Sequence, residues 1–428
     1  MERSELFAAF DEVRRTTEQI CQPLVTEDFV IQSMADVSPP KWHLAHTTWF
    51  FERVILQQFS TDYRPYNEPY YYLFNSYYQS FGERWARDIR GTLSRPTVKD
   101  VYDYRAAIDE RIRSLIEATG TKDFPQISRL LELGLHHEQQ HQELLVTDIK
   151  HILASNPLRP LYKENGTPRT GRTPTVRGTP GFVGVGGGMF EMGANGNGFA
   201  WDNEYPRHKT FVSDFALMNR LVTCGEYLNF INDGGYRNPL LWLSDGWEVA
   251  AREGWVAPLY WEKPGETWNI VTLSGVRPVD PDEPVSHVSY YEASAYARWS
   301  GKRLPTESEW EMASSLVKTS PSCGNFLETG NFHPVPLGQA RGVDESGLSQ
   351  MFGDVWEWTA SSYLPYPGYQ QEQGPLGEYN GKFMINQMTL RGGSCATPRT
   401  HIRPTYRNFF QCEKRWQFTG FRLASDTI

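Results

Sequence analysis

The chain is poor in the residues that would tie it to a disulfide scaffold, a membrane or a nucleic acid. Its five cysteines (Cys21, Cys224, Cys323, Cys395 and Cys412) are scattered over 428 residues and form no Cys-x-x-Cys pair. Such usage fits reduced thiols and a cytoplasmic protein rather than a disulfide framework. No apolar run is long enough to span a bilayer. The opening stretch, MERSELFAAFDEVRR, is charged and amphipathic and lacks the apolar centre of a secretory signal. Basic residues are in deficit, 42 Lys and Arg against 51 Asp and Glu, so the formal charge of −9 leaves no electrostatic footprint for nucleic acid. Outside one Pro/Gly/Thr-rich stretch there is no repeat or low-complexity tract. Nothing in the composition sets an oligomeric state.

Aromatic residues are abundant instead, with 14 Trp, 22 Tyr and 23 Phe. Length alone allows two or three domains. In the first third, apolar residues recur at helical spacing. Leu6, Phe10, Val13, Thr17 and Ile20 make one stripe. A second helix is expected after Ser38-Pro39-Pro40, with Ser38 as cap and Pro39 in the first turn. Trp42, His46, Trp49 and Arg53 share one of its faces. A third, after Arg95-Pro96-Thr97, turns Val101, Tyr104, Ile108, Ile112 and Leu115 inward and stops near Gly120. The fourth covers Leu130 to Ile152. The class expected is α+β: a four-helix bundle over 1–155, a connector rich in Pro, Gly and Thr over 156–180, and a domain of short strands and irregular loops over 181–428.

The fourth helix carries the first chemical signal. Leu130, Leu133, His137, Gln140, His141, Leu144 and Asp148 lie on one stripe. His137 and His141 are four residues apart, which stacks both imidazoles on one helix face. Two such nitrogens can grip one divalent metal, and bundles build metal sites from inward side chains on facing helices. An ordinary amphipathic helix would also accommodate them. Between the second and third helices lies YRPYNEPYYYLFNSYYQSFGERWARDIRG, too aromatic for a solvated linker. Its tyrosines Tyr77 and Tyr78 are candidates to place hydroxyls at a reaction centre, and Arg84 and Arg87 to grip a carboxylate through their forked guanidinium groups.

From Gly181 the texture changes to short strands dense in Gly and Trp. The ordered segments GKRLPTESEWEMAS, GDVWEW, LRGGS and GFRLA resemble the formylglycine-generating-enzyme fold, a variant of the C-type-lectin fold. Arg303, Glu307, Glu309, Asp354, Glu357, Arg391 and Arg422 there read as buried structural groups, since charge is buried when paired. The oxidase activity of that fold is not expected. Cys395 follows RGGS, but Cys412 falls outside the thiolate pair that copper(I) would want.

Taken together, the WHLAH segment at 42–46, the HEQQH segment at 137–141 and the C-terminal motifs resemble the iron(II)-dependent sulfoxide synthases of ergothioneine biosynthesis. Those enzymes join a DinB-like bundle to a formylglycine-generating-enzyme-like domain. The resemblance implies His46, His137 and His141 as ligands of Fe(2+), O2 as co-substrate, and hercynine and cysteine as substrates. It implies a tyrosine of the Tyr77-Tyr78 pair as the proton donor that steers the reaction to carbon–sulfur bond formation. Arg407-Asn408-Phe409-Phe410 would meet hercynine, with Asn408 on its carboxylate and the phenyl faces on its quaternary ammonium. Gln140 would hold the hercynine imidazole. The Phe409-Phe410 form, with the tyrosine pair, looks like the branch that takes free cysteine. Related synthases using γ-glutamylcysteine, a selenium donor or histidine share the layout. His43, His136 and His151 are expected to tolerate substitution.

Two rivals come from other classes. The segment His137-Glu138-Gln139-Gln140-His141 also matches the zinc metallopeptidase pattern, with Glu138 as general base. A catalytically inert lectin-like binding module would share the C-terminal motifs but has no use for histidines on two helices.

Overall fold

A computed structural model describes residues 1–60, 63–163, 181–337 and 344–426. The first stripe becomes helix α1 (Arg3–Cys21), and Leu6, Phe10, Val13, Thr17 and Ile20 are all buried. Helix α2 (Pro40–Phe50) runs on into a π-helical turn, Phe51–Leu56. Helix α3 (Val98–Ala118) begins where Thr97 accepts the Asp100 N–H and Asp100 returns a bond to the Thr97 N–H, so that two of the first-turn donors are satisfied. Helix α4 (Phe124–Ser155) is 32 residues long and carries the HEQQH segment. Two local expectations are corrected. Ser38 is not a cap: the helix starts at Pro40, and Ser38 gives its N–H to Asp148 and accepts from Arg90. Ile116, not Leu115, completes the buried face of α3.

The four helices are tied by charge as well as by apolar contact. Glu138 of α4 is fully buried and accepts from Arg14 Nη1 of α1 at 2.8 Å, from Arg105 Nη2 of α3 at 2.6 Å and from Thr17 Oγ1 at 2.6 Å. Arg14 also reaches Asp109 at 2.7 Å and Thr48 of α2 at 3.0 Å. Close packing supplements this. A Cβ on Gly134 would stand 2.7 Å from the Phe51 ring, so the α4 glycine is what lets the π turn of α2 lie against it.

Met1–Lys163 form one compact unit with Glu372–Tyr379, a segment expected in the C-terminal domain. The backbone N–H groups of Gln79 and Ser80 donate to the Glu378 carboxylate, and Arg129 pairs with Glu372 at 2.8 Å. The second unit comprises Glu164–Gln371 and Asn380–Ile428. Of the expected 156–180 connector, residues 164–180 lie outside the described residues.

The second unit is built from short strands. Strands β1 (Phe182–Val185), β4 (Phe215–Met218) and β12 (Ala424–Ser425) form one sheet in that order, and β2 (Gly188–Met192) pairs antiparallel with β3 (His208–Val212). The largest sheet has the order β10 (Asn408–Phe410), β9 (Met388–Arg391), β8 (Trp356–Ser362), β11 (Thr419–Gly420), with Glu357 opposite Arg391. A second three-stranded sheet is β5 (Trp261–Glu262), β6 (Asn269–Thr272) and β7 (Gly275–Pro278). Trp310, Phe326, Leu217, Phe215 and Met351 form the core. The expected structural pairs are present: Arg303 with Glu309, Arg391 with Glu307 and Glu311, and Arg422 with Glu357. Asp354 is held by Asn325, Gln350 and the Val335 N–H, and burial raises its carboxyl to about 6.

Glu138 generates a prediction about the bundle. Burial opposes its ionisation, but the Arg105 and Arg14 guanidinium groups outweigh that and hold the carboxyl down at about 2. A depressed carboxyl stabilises the fold above its unfolded value and loses that contribution as pH falls through the folded value. Replacing Glu138 by Ala leaves buried Arg14 with Asp109 alone and buried Arg105 with the half-exposed Glu18 alone, a loss of about 3 kcal/mol at neutral pH in urea unfolding. The gap between wild type and variant should then close as pH drops from the ordinary carboxyl value of 4.5 toward about 2. A gap that does not change with pH would show that Glu138 acts through packing alone.

Candidate metal centre

Helices α2 and α4 bring His46, His137 and His141 together inside the bundle, with ligand-capable atoms all within 4.8 Å of one another. Their ring centroids stand 5.0 Å (His46–His137), 4.7 Å (His46–His141) and 4.7 Å (His137–His141) apart, a near-equilateral triangle.

Each ring is held from behind. His46 is sandwiched between Trp42 (4.6 Å, 12°) and Trp49 (5.6 Å, 17°), its neighbours one helical turn back and one on. Its Nδ1–H donates to the Phe74 carbonyl at 2.6 Å. That bond leaves Nε2 with the lone pair, and Nε2 is buried without a partner. His137 packs on Phe50 at 4.5 Å, and neither of its ring nitrogens has a partner. His141 Nδ1 lies 2.9 Å from His43 Nδ1, and His43 Nε2 lies 3.0 Å from Asp148 Oδ2. His43, expected to be a bystander, is thus buried against a candidate ligand.

Burial drives all three imidazoles to the neutral form. It brings His137 down to about 3, and it holds His46 and His141 well below the ordinary imidazole value, with neighbouring rings adding to the effect. Buried, unpartnered nitrogens are costly unless something occupies them. A divalent cation that favours imidazole fits this donor set.

Glu138 does not belong to this group. One residue on from His137, it points about a quarter-turn or more around the helix and is engaged by Arg14, Arg105 and Thr17. It cannot serve as general base, which removes the metallopeptidase reading.

The aromatic loop reaches the same region. Glu52, on the π turn, accepts from the Tyr63 and Tyr104 hydroxyls and from the Tyr66 N–H, anchoring the start of the loop. Tyr78 is buried, its ring 5.7 Å from Trp49 and 4.7 Å from Tyr77. A third tyrosine was missed in the sequence: Tyr379 stands 5.8 Å from His137 and 6.0 Å from Tyr77, edge-on to both. It comes from Glu372–Tyr379, and no local pattern marks that segment. Burial raises the Tyr77 and Tyr78 phenols above their ordinary value, so both carry their proton at neutral pH.

The arginines sort by burial. Arg84 and Arg87 are exposed and line an open cleft with Ala35, Ala86 and Asp88, and Arg87 donates to the Asp36 carbonyl. Arg90 is buried, with its guanidinium 3.3 Å over the Trp42 ring and Nη1 on Ser38 Oγ at 2.8 Å. It makes no ion pair among the described residues, its Nε has no partner, and burial pulls it well below the ordinary arginine value. Its charge reaches both His46 and His141. Gln140 is half-buried, one residue before His141.

In the second unit, Arg407 is committed to Glu307 at 2.7 and 3.1 Å and lies over Tyr366, so it is a structural ion pair and not a free substrate contact. Asn408 accepts from the Phe409 N–H, Phe409 stacks on Tyr363 at 4.0 Å, and Phe410 lies 6.1 Å from Trp416.

The triangle predicts metal binding that depends on each imidazole and not on fold stability. Calorimetric titration of the metal-free protein with iron(II) under anaerobic conditions should show one site in wild type. His46→Ala and His137→Ala should each abolish it while circular dichroism stays unchanged. Full affinity in His137→Ala would remove that residue from the site.

Residues 9–145 match the DinB superfamily, and residues 169–427 match the sulfatase-modifying factor enzyme 1-like domain family. The chain is similar to the hercynine oxygenase of Mycolicibacterium smegmatis, 35% identical over 69% of this chain and 71% of the relative. It is similar also to that of Mycolicibacterium thermoresistibile, 34% identical over 75% and 73%. The formylglycine-generating enzyme of Streptomyces coelicolor is 30% identical over 58% of this chain and 90% of the relative. No helix among the described residues is long and apolar enough to cross a membrane. The chain therefore belongs to the hercynine oxygenase family, an oxygenase in which a DinB-superfamily bundle precedes a sulfatase-modifying factor enzyme 1-like domain.

Proposed function

We propose that this protein joins the sulfur of cysteine to C2 of the hercynine imidazole in a reaction that consumes dioxygen, giving hercynylcysteine sulfoxide for ergothioneine biosynthesis. One observation carries the reading: three neutral, buried imidazoles converge, with ring nitrogens of His46 and His137 unpartnered, in a chain of the hercynine oxygenase family. Iron(II), held by His46, His137 and His141, would supply open positions at which a thiolate and dioxygen react. Three neutral ligands, in place of two histidines and a carboxylate, leave the site more positive and so better suited to an anionic sulfur.

The chain's own residues have separable tasks. Arg90, buried and in no ion pair among the described residues, holds the carboxylate of the sulfur donor in preference to the exposed Arg84 and Arg87. Tyr77, Tyr78 and Tyr379 form the proton-donating group. A phenol kept protonated by burial gives up its proton only to a strongly basic oxygen, and that proton decides between carbon–sulfur bond formation and plain sulfur oxidation. Gln140 takes the hercynine imidazole. Asn408 takes the hercynine carboxylate, and Phe409 and Phe410 offer ring faces to its quaternary ammonium.

Anaerobic loading with iron(II), followed by hercynine and cysteine in air, tests the reading by mass spectrometry. The coupled sulfoxide is the expected product. Cysteine sulfinate alone, or coupling only with γ-glutamylcysteine or a selenium donor, would overturn it.

Two variants test the assignments. Arg90→Leu removes a charge-assisted contact worth about 1.5–3 kcal/mol, so the KM for cysteine should rise by about 10- to 150-fold with little change for hercynine. A larger effect from Arg87→Leu would return the role to the exposed arginine. Replacing Tyr77, Tyr78 and Tyr379 by Phe one at a time should shift output from sulfoxide toward cysteine sulfinate in at least one variant. Unchanged product ratios in all three would place the proton donor elsewhere.

A further inference from the structure

His43 and Asp148 are not among the three candidate ligands, yet both are fully enclosed, at 2% exposure each, and both bear on His141. His43 comes from α2, while His141 and Asp148 lie two turns apart on α4. Asp148 Oδ2 also accepts the Ser38 N–H at 2.9 Å, at the point where the chain enters α2.

We infer that Asp148 and His43 are positioning residues that set the tautomer of His141, forcing its proton onto Nδ1 and keeping Nε2 bare for a metal. The argument is one of hydrogen-bond direction. An ionised carboxylate only accepts, so the 3.0 Å contact requires a proton on His43 Nε2. A neutral His43 then has its lone pair on Nδ1. The 2.9 Å contact between the two Nδ1 atoms requires exactly one proton, which must come from His141. No proton remains for His141 Nε2. Reversal of the relay would put a proton on that atom and remove it as a donor to a cation. His46 reaches the same end more simply, through one backbone carbonyl. Partners that orient a metal-binding imidazole in this way typically change metal affinity by 10- to 100-fold when removed.

The inference rests on the proposed metal site, but its first readout needs no metal. Long-range nitrogen–proton correlation on metal-free, nitrogen-15 histidine-labelled protein reports which nitrogen of His141 carries the proton. Wild type should show Nδ1–H. His43→Leu, which removes both contacts, should move His141 toward Nε2–H and weaken iron(II) binding by about 10- to 100-fold in anaerobic calorimetry. His43→Gln supplies an amide oxygen to accept from His141 and an amide N–H to give to Asp148, so it should restore both. An Nε2–H tautomer in wild type would overturn the inference without any variant. An unchanged tautomer and affinity in His43→Leu would also overturn it. A His43→Gln protein as weak as His43→Leu would show that His43 only fills space. A correct tautomer pattern in a wild type that binds no iron(II) would support the relay and count against the proposed metal site alone.

Discussion

The bundle depends on the burial of one carboxylate. Glu138 cannot be hydrated where it sits, and it is compensated by guanidinium groups from α1 and α3, one of which also bonds α2 through Thr48. Each of these bonds fixes a helix in register against α4, because a slide of one residue would strand a buried charge. Apolar stripes alone would allow the helices to shift, since hydrophobic contact has no direction. With the register fixed, the face of α4 that carries His137 and His141 meets the face of α2 that carries His46.

That constraint separates structure from chemistry along a single helix. Adjacent residues on α4 face different ways, so Glu138 spends its charge on the bundle while His137, beside it, keeps both ring nitrogens without partners. Burial then does what a metal site needs before any metal arrives: it keeps the imidazoles neutral. The surrounding rings, Trp42, Trp49 and Phe50, exclude water and fix ring orientation. Glu52 anchors the aromatic loop from the π turn just beyond, a kind of helical irregularity that is frequent at functional sites.

Periodicity was enough to read the four helices, because each has an apolar stripe, and α3 also has a capping sequence. The pairing of His137 with His141 on one face was legible for the same reason, whereas His46 joined them as a ligand only through the family resemblance. Asp148 was visible on the His137–His141 stripe, but its meaning was not, because its partner His43 is on another helix and spacing cannot show which way that imidazole points. Ser38 misled because serine before proline is a common helix start, whereas here its groups serve Asp148 and Arg90. Arg84 and Arg87 were singled out from spacing, which gives no burial, so the buried Arg90 did not stand out from its exposed neighbours. Arg407 looked free beside Asn408 because its partner Glu307 lies far back in the chain. Tyr379 had no signal at all, since a tyrosine in an irregular segment gains its position only from tertiary contact.

The central claim is that three imidazoles and no carboxylate of this chain hold the iron. X-ray absorption at the iron edge of the iron(II)-loaded protein tests it most directly, because rigid imidazole rings give outer-shell scattering that can be counted. The account predicts three imidazoles per iron. Two imidazoles with a protein carboxylate would contradict it.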